Sequence, residues 1–197
     1  MLKKGDQTKT TILDTARVLF AEKGYSAVTM KDFCDRLGLS RGGLYRYFNS
    51  PITIFVAMLD LDKESSIQEL DEAITAGVPA RTIFDYFIQQ QKQEIQQGVG
   101  RLSMAVYEFC LAHPDQKPYL DRRYCTAVEI LVKLIRYGQD QQAFTRVDAR
   151  ETAAHIVVFL EGLRLSSAVT TFTASTLDDQ LHYLYTLIGI AAQNVQN

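Results

Sequence analysis

The chain has 197 residues, 47% of them hydrophobic, and a formal net charge of −2 at pH 7. This composition predicts a packed globular protein and excludes a disordered one. The length suits one large domain or a small domain joined to a larger one. No apolar run approaches the ~20 residues needed to span a bilayer. Because Lys3 and Lys4 are followed by Gly-Asp-Gln-Thr and not by the apolar stretch of a signal peptide, we expect a cytoplasmic protein with no membrane association.

The charge is distributed unevenly along the chain. Residues 1–50 contain nine Lys and Arg against five Asp and Glu, a net charge of +4, so the remaining residues carry −6. A basic N-terminal segment is what a chain needs if only one end is to meet phosphate. Fluctuations of this size also arise by chance, so the asymmetry has meaning only beside a second signal in the same segment.

Residues 29–48 supply that signal, because they have the pattern of a helix-turn-helix. Thr29 predicts the N-cap of a first short helix, and Asp32 stands at capping-box spacing from it. Gly38 suits the left-handed conformation that ends this helix, and Ser40 is the expected N-cap of a second one. The helically spaced residues of the second helix are Leu44, Tyr47 and Phe48. Such a unit lays its second helix in the major groove of DNA.

A helix predicted at residues 8–23 completes a three-helix head, because its apolar stripe supplies the third side of the head's core. Lys3, Lys4 and Lys9 are expected on an arm ahead of this helix, where they either contact phosphate or are solvated.

Six further helices are predicted after the head, and no strand-like alternation occurs, so the fold class is all-α with about nine helices. Ser50 and Pro51 suit the cap and first residue of the fourth helix, and Asp148 opens the eighth. The glutamine-rich part of the fifth helix, residues 89–97, is expected to be a solvated face. The predicted ranges are 51–76, 80–97, 101–112, 117–142, 148–169 and 177–195. The chain is thereby divided into a DNA-binding domain, 1–50, and a ligand-binding and dimerisation domain, 51–197.

The last two predicted helices, about 148–169 and 177–195, are apolar on more than one face. Such helices must bury more than one face, which in a chain of this size indicates a homodimer interface. The small residues expected to let backbones approach are Gly162, Gly189, Ala191 and Ala192. A two-fold dimer suits a helix-turn-helix, which commonly reads paired half-sites. The alternative is a buried central hairpin in a monomer.

The residues offer little support for catalysis or for metal binding. His113, His155 and His182 lie on different predicted elements, and no Cys-x-x-Cys, His-x-x-x-His or phosphate-binding loop occurs. His155, on an apolar helix, is expected to pack in the core. Three widely spaced cysteines indicate a reducing compartment without a disulfide framework. We therefore expect no enzymatic activity, no metal and no cofactor.

Three stretches of the sequence resemble the TetR family of transcriptional regulators. They are Ile-Leu-Asp-Thr-Ala-Arg-Val-Leu-Phe-Ala-Glu-Lys-Gly-Tyr from Ile12, Val-Thr-Met-Lys-Asp-Phe from Val28, and Leu-Gly-Leu-Ser-Arg-Gly-Gly-Leu-Tyr-Arg-Tyr-Phe from Leu37. The match is dense over residues 8–59 and architectural beyond them. The resemblance implies a homodimeric repressor that binds a palindromic double-stranded DNA operator and releases it when a small molecule enters the larger domain.

The resemblance also implies which residues meet DNA. Thr29 would contact a phosphate at the start of the second helix. The groove-facing residues of the third would be Ser40, Arg41, Gly42, Gly43, Tyr45, Arg46 and Tyr47. Arginine pairs bidentately with guanine, and tyrosine offers a hydroxyl to phosphate, although Tyr47 fits the buried stripe equally well. Gly43 stands where the family often has Thr, and Pro51 where it often has Lys, so the contact map stays open.

The effector pocket is implied by the family and only weakly marked in the residues. A cavity among the fifth to eighth helices would be mostly apolar, with a few polar groups that orient the ligand. The candidate ligand-binding residues are Phe87, Met104, Tyr107, Cys110, Tyr124, Phe159, Glu161 and Arg164. Glu108 is a further candidate polar anchor, and ordinary core packing is the alternative for each wall residue.

Two other functions stay open at this point. The first is an activator or architectural DNA-binding protein on the same fold. The second is a dimer that binds a small molecule or a protein and whose head no longer binds DNA.

Overall fold

The computed structural model describes residues 4–98 and 100–190. Within these two ranges the chain forms nine α-helices and one 3₁₀ turn, Pro114–Gln116, and no strand, which confirms the predicted all-α fold. The α-helices are α1 (Lys4–Lys23), α2 (Met30–Leu37), α3 (Arg41–Tyr45), α4 (Pro51–Thr75), α5 (Ala80–Gln96), α6 (Gly100–Ala112), α7 (Lys117–Asp140), α8 (Ala149–Val169) and α9 (Ala174–Leu187).

The helices are divided between two compact units. The first contains the chain up to Glu64 together with Arg101–Lys117, and the second contains Ser65–Gly100 and the chain from Pro118 onward. Three helices, α4, α6 and α7, therefore contribute residues to both units, α6 with Gly100 alone in the second and α7 with Lys117 alone in the first. The predicted helix-turn-helix lies in the first unit.

The core of the first unit is aromatic. The ring centroid of Phe55, on α4, lies 4.6 Å from that of Phe20 and 5.1 Å from that of Phe109, on α6. Tyr25, in the turn after α1, packs against Phe55 and Phe109 at 5.0 and 5.1 Å. Phe33 of α2 packs against Phe20. Four of these rings, all but that of Tyr25, are fully buried, and each such burial contributes about 1.5–3 kcal/mol.

In the second unit, α5 packs against α8 and α9. Phe84 of α5 is fully buried, with its ring centroid 5.9 Å from Phe144 and 5.2 Å from Tyr185 of α9. Phe144 follows α7 and folds back onto Gly138, where any Cβ would overlap its ring. Burial and a hydrogen bond with Asp85 raise the pKa of Tyr185, so its phenol stays neutral.

The start of α6 makes a close backbone contact with α8. Gly100 is buried, and a Cβ at this position would overlap the carbonyl oxygen of Arg164 and lie 2.9 Å from the backbone nitrogen of Ala168. Backbone atoms do not move aside as the end of a flexible side chain does, so a larger residue at position 100 would not fit against this turn of α8.

The starts of two helices differ from their predicted positions. α1 begins at Lys4 and not at residue 8, so Lys9 lies within the helix and not on an arm ahead of it. Lys3 lies outside the described residues. α9 begins three residues earlier than predicted because Thr173 is its N-cap, accepting a hydrogen bond from the backbone N–H of Thr176 at 3.1 Å. Thr173, one turn before Thr176, therefore caps the helix.

The end of α9 also differs, since the helix stops well before the predicted residue 195. Gly189 has a φ of 69°, and the N–H groups of Gly189 and Ile190 make the two hydrogen bonds of a Schellman motif. Gly189 therefore ends a helix, and the Thr145 side chain of the same chain fills the space that its Cβ would take. Ala191, Ala192 and the residues after them lie outside the described part of the chain.

The predicted caps of the helix-turn-helix are present. The backbone N–H of Thr29 donates to the carboxylate of Asp32 at 2.8 Å, and the Thr29 hydroxyl accepts from the backbone N–H of Asp32 at 3.4 Å. Gly38, with φ 65°, ends α2, and Ser40 caps α3. Lys23, the last residue of α1, forms an ion pair with Asp32 at 2.5 Å. Asp32 thus ties the end of α1 to the start of α2.

The same contacts favour the charged form of Asp32. Its hydrogen-bonded pair with Lys23, followed by the hydrogen bonds from the hydroxyl and the backbone N–H of Thr29, holds the pKa of Asp32 well below its ordinary value of 3.8.

We expect Asp32→Asn to destabilise the protein by ~1 kcal/mol at neutral pH, the usual contribution of a helix cap. A carboxylate with a lowered folded-state pKa stabilises fully above its unfolded pKa of 3.8, and the stabilisation is lost as the pH falls from there towards the folded pKa. The difference in urea-unfolding free energy between wild type and variant should therefore be constant above about pH 5 and shrink below about pH 4.

Asp35→Asn is the matched control on the same helix. It removes an exposed pair with Lys31 and should leave stability nearly unchanged, because solvent screens such a pair. A wild-type advantage over Asp32→Asn that stayed undiminished at about pH 3 would show that the Asp32 charge is not its source.

Candidate nucleic-acid interface

α3 is a five-residue helix held in the head by few side chains. The hydroxyl oxygen of Ser40 accepts a hydrogen bond from the backbone N–H of Gly43 at 3.1 Å, which satisfies one of the unpaired donors of the first turn. Leu44 is fully buried, and Phe48, just beyond the helix, is 7% exposed. These anchors leave the remaining surface of α3 open to solvent.

Most of the predicted DNA-binding residues lie on this open surface. The exposed ones on or beside α3 are Ser40, Arg41, Gly42, Tyr45, Arg46 and Tyr47, and Thr29 is exposed at the start of α2. Gly43 is half-buried. Tyr45 and Tyr47 are 52% and 36% exposed. The sequence allowed Tyr47 to lie either in the core or on the surface, and its side chain faces solvent. The Thr29 hydroxyl already makes the hydrogen bonds of the α2 cap, so a contact with a phosphate would be made by a hydroxyl that also caps the helix.

Four cations of the head lie beside a carboxylate. The pairs are Lys23 with Asp32, Lys31 with Asp35, Arg36 with Glu22 and Arg17 with Asp62. The hydrogen bond to Asp35 raises the pKa of the Lys31 ammonium. Arg41 and Arg46, by contrast, form no ion pair with any described residue. Their guanidinium groups present the uncompensated positive charge of the helix-turn-helix to an anion.

The turn between α1 and α2 is attached to α6, a contact that the sequence did not predict. The backbone N–H of Ser26 donates to the carboxylate of Glu108 at 3.1 Å. That carboxylate fills the space where a Cβ on Gly24 would lie. The hydroxyl of Tyr25 forms a hydrogen bond with Nε2 of His113 at 2.7 Å. Glu108, a candidate pocket anchor from the sequence, therefore binds the head.

The predicted ligand-binding residues are divided between the two units. Those on α6, in the first unit, are Met104, Tyr107 and Cys110. The other five lie on α5, α7 and α8 in the second unit. Phe87 and Phe159 are partly buried and pack against the core of that unit, as ordinary core residues do, whereas Tyr124 is 43% exposed.

Glu161 and Arg164 meet in a polar cluster between α5 and α8. Arg164 donates to the side-chain oxygen of Gln91 and lies 3.5 Å from Glu161 and 3.6 Å from Glu94. The Nε atom of Arg164 is buried and has no hydrogen-bond partner among the described residues. Gln91 is 6% exposed, so the prediction that residues 89–97 form a solvated face is wrong at this position. Arg164 supplies the partner that its buried amide requires.

Within the described residues, no group of three His, Cys, Asp or Glu side chains is placed to hold a metal ion. His155 is exposed on α8, so the expectation that it packs in the core is wrong. Its neighbours Ala153 and Ile156 face the core instead.

Known proteins share both parts of this architecture. Residues 12–58 match the family model for bacterial regulatory proteins of the tetR family, and residues 83–177 match a tetracyclin repressor-like C-terminal domain. The uncharacterized HTH-type transcriptional regulator YfiR of Bacillus subtilis is 27% identical over 152 residues, which cover 76% of this chain and 74% of that protein.

Solved structures show the same fold. Salmonella enterica GusR superposes with a TM-score of 0.72 at 23% identity, over 95% of this chain and 98% of its own. A transcriptional regulator from Saccharomonospora viridis, in complex with choline, gives a TM-score of 0.66 at 20% identity, over 93% and 96% of the two chains. The two family models together span more than half of the sequence. The chain belongs to the TetR family: it is a DNA-binding helix-turn-helix transcriptional regulator and not an enzyme.

Proposed function

We propose that this regulator is a homodimeric repressor that binds a palindromic operator and is released from it by a small molecule. The observation that carries the proposal is the charge on the helix-turn-helix, where Arg41 and Arg46 are exposed and unpaired among the described residues while Lys31 and Arg36 are paired. A guanidinium without a carboxylate partner binds phosphate or guanine without first breaking an ion pair.

An exposed side of α8 supports the dimer. Val158 and Val169 are 61% and 77% exposed, and His155 and Gly162 lie on the same side at intervals of about one helical turn. No heavy atom lies within 4 Å of the place that a Cβ on Gly162 would take, so another backbone has room there. We infer that a second copy of the chain occupies this face. A two-fold dimer suits a helix-turn-helix protein, because it places two recognition helices on half-sites about 34–36 Å apart.

Lipid is the other occupant to consider for α8. By length and composition alone α8 is apolar enough to cross a membrane, and no other helix among the described residues is. Core helices of globular proteins pass the same test. Ile156, Leu160 and Leu163 of α8 pack into the core of the second unit, which supports a second copy on the opposite side of the helix.

The polar cluster around Arg164 is the proposed centre of the effector site. A buried N–H without a partner is unfavourable, and a ligand atom that accepts a hydrogen bond from Arg164 Nε would remove this cost. Glu161 and Glu94 lie 3.5 and 3.6 Å from the guanidinium, farther than in hydrogen-bonded ion pairs, so they can exchange partners with a ligand. The choline complex of the Saccharomonospora relative supports a small-molecule effector.

Release is proposed to occur by a shift between two states of the dimer. DNA favours the state whose recognition helices match the half-site spacing, and the effector shifts the population only if it binds the other state better. Within the first unit, Phe55 of α4 and Phe109 of α6 both pack against the head. A displacement of either helix therefore changes the packing beneath the helix-turn-helix.

Arg41→Ala and Arg46→Ala should each weaken operator binding by roughly 5- to 150-fold if the arginine reads a guanine, since such a pair contributes ~1–3 kcal/mol. An arginine that meets a phosphate instead should lower affinity for all sequences alike and reduce the salt slope by about 1. Fluorescence anisotropy across a salt series, with DNA from upstream of the protein's own gene and with competitor DNA, measures both quantities.

Arg122→Ala, at an exposed position on α7, is the control and should bind as wild type does. If the wild-type protein bound neither its own upstream DNA nor neighbouring promoters, the result would favour the alternative function, a dimer that binds a small molecule or a protein and whose head no longer binds DNA. A reporter gene behind a bound promoter separates the two kinds of regulator, because deletion of a repressor raises expression and deletion of an activator lowers it.

Val158→Asp should convert the dimer of the 22.3 kDa chain into monomers, because the interface would bury an unpaired carboxylate. Operator affinity should fall with it, since two linked heads bind paired half-sites more tightly than separate ones. Sedimentation velocity measures the mass. Val18→Asp, on α1 at a position 44% exposed, should remain dimeric, and an unchanged mass for Val158→Asp would remove α8 from the interface.

A small molecule that releases the operator should also raise the melting temperature of the free protein. Compounds found by thermal shift are then tested on Arg164→Met, which removes the guanidinium, and on Arg150→Met, a control on the same helix whose arginine pairs with Glu129. The thermal shift should be lost in the first variant and kept in the second. Equal shifts in both would place the effector away from Arg164.

A further inference from the structure

Two of the five residues of α3 are glycines, Gly42 and Gly43. Glycine is less favourable in a helix than any residue except proline, because its backbone loses the most freedom on folding. The recognition helix is therefore weaker than it would be with alanine at either position. A glycine in such a place is explained by its backbone conformation, by a close neighbour within the chain or by a partner.

Most glycines of this protein are explained within the chain. Those with positive φ are Gly24, Gly38, Gly77, Gly98 and Gly189. Gly100 and Gly138 leave room for backbone or ring atoms packed against them. Gly43 has a partial reason of the same kind, because its Cβ would lie 3.2 Å from Ser40 Oγ, the atom that caps α3.

Neither a positive φ nor a close neighbour within the chain explains Gly42. Its φ is not positive, and no heavy atom lies within 4 Å of the place its Cβ would take. Gly5 and Gly162 are also open, on other helices, so openness alone does not decide the matter. What distinguishes Gly42 is its position between Arg41 and Tyr45, on the exposed surface of the recognition helix.

We propose that Gly42 is the point of closest approach between α3 and the operator, where its bare Cα lies in van der Waals contact with base edges of the major groove. Gly42 is the second residue of α3, and the N-terminal residues of a recognition helix are those that contact base edges. A Cβ at this position would hold the helix away from the groove. Contacts of Arg41 and Arg46 would then lengthen, and hydrogen bonds weaken steeply with distance and misalignment.

This inference rests on the proposed DNA-binding function and adds a specificity-determining residue to it. It predicts that Gly42→Ala has opposite effects on folding and on operator binding. The melting temperature of the free protein should rise by about 2–4 °C because helix propensity improves. The operator Kd should increase by roughly tenfold or more, as for the loss of a base contact.

The Kd for random-sequence DNA should stay within about twofold of the wild-type value, because non-specific binding depends on phosphate charge. Thermal melting gives the melting temperature, and anisotropy titrations with both DNAs give the two Kd values. Gly5→Ala, at an exposed and open position on α1, is the matched control and should leave both Kd values unchanged.

An operator Kd that is unchanged in Gly42→Ala overturns the inference. A lowered melting temperature also overturns it, because Gly42 would then be needed within the fold. Equal losses on operator and random DNA would assign the contact to the sugar–phosphate backbone and overturn the base-edge assignment. The wild-type Kd separates these outcomes from failure of the proposed function. If the wild-type protein does not bind the operator in the same titration, the proposed function fails and the inference fails with it.

Discussion

The ring of Phe55 is the contact on which the DNA-binding unit depends. It lies 4.6 Å from Phe20 and 5.1 Å from Phe109, measured between centroids, and so joins α1, α4 and α6. A close-packed interior has a few discrete arrangements and does not deform continuously. Any displacement of α4 or α6 therefore requires these rings to pack anew, and Tyr25 carries the change into the turn before α2.

Ion pairing separates two groups of cations in the head. The pairs of Lys31 with Asp35 and of Arg36 with Glu22 are largely exposed, so each contributes little to stability. Their larger effect is electrostatic, because they cancel charge along α2 and leave the positive potential concentrated on α3. A net charge of −2 for the whole chain is thereby compatible with an attractive field at the recognition helix.

The sequence predicts local features well and distant contacts poorly. Thr29 and Asp148 cap helices as predicted because each stands before a clear apolar repeat, whereas α9 offers two hydroxyl residues and the earlier one caps it. The attachment of the α1–α2 turn to α6 joins residues 82 and 88 positions apart, and the burial of Gln91 depends on an arginine 73 residues later. No local pattern carries such information. The DNA-binding residues stay predictions, since a contact depends on the duplex as well as on exposure.

Gly100 restricts which residue can stand at the first position of α6. A Cβ at this position would overlap the carbonyl oxygen of Arg164 and lie 2.9 Å from the backbone nitrogen of Ala168. The same turn of α8 carries the guanidinium that donates to Gln91, so a side chain at position 100 would displace the backbone that orients this guanidinium. The size of the residue that opens α6 is in this sense tied to the geometry of the proposed effector site.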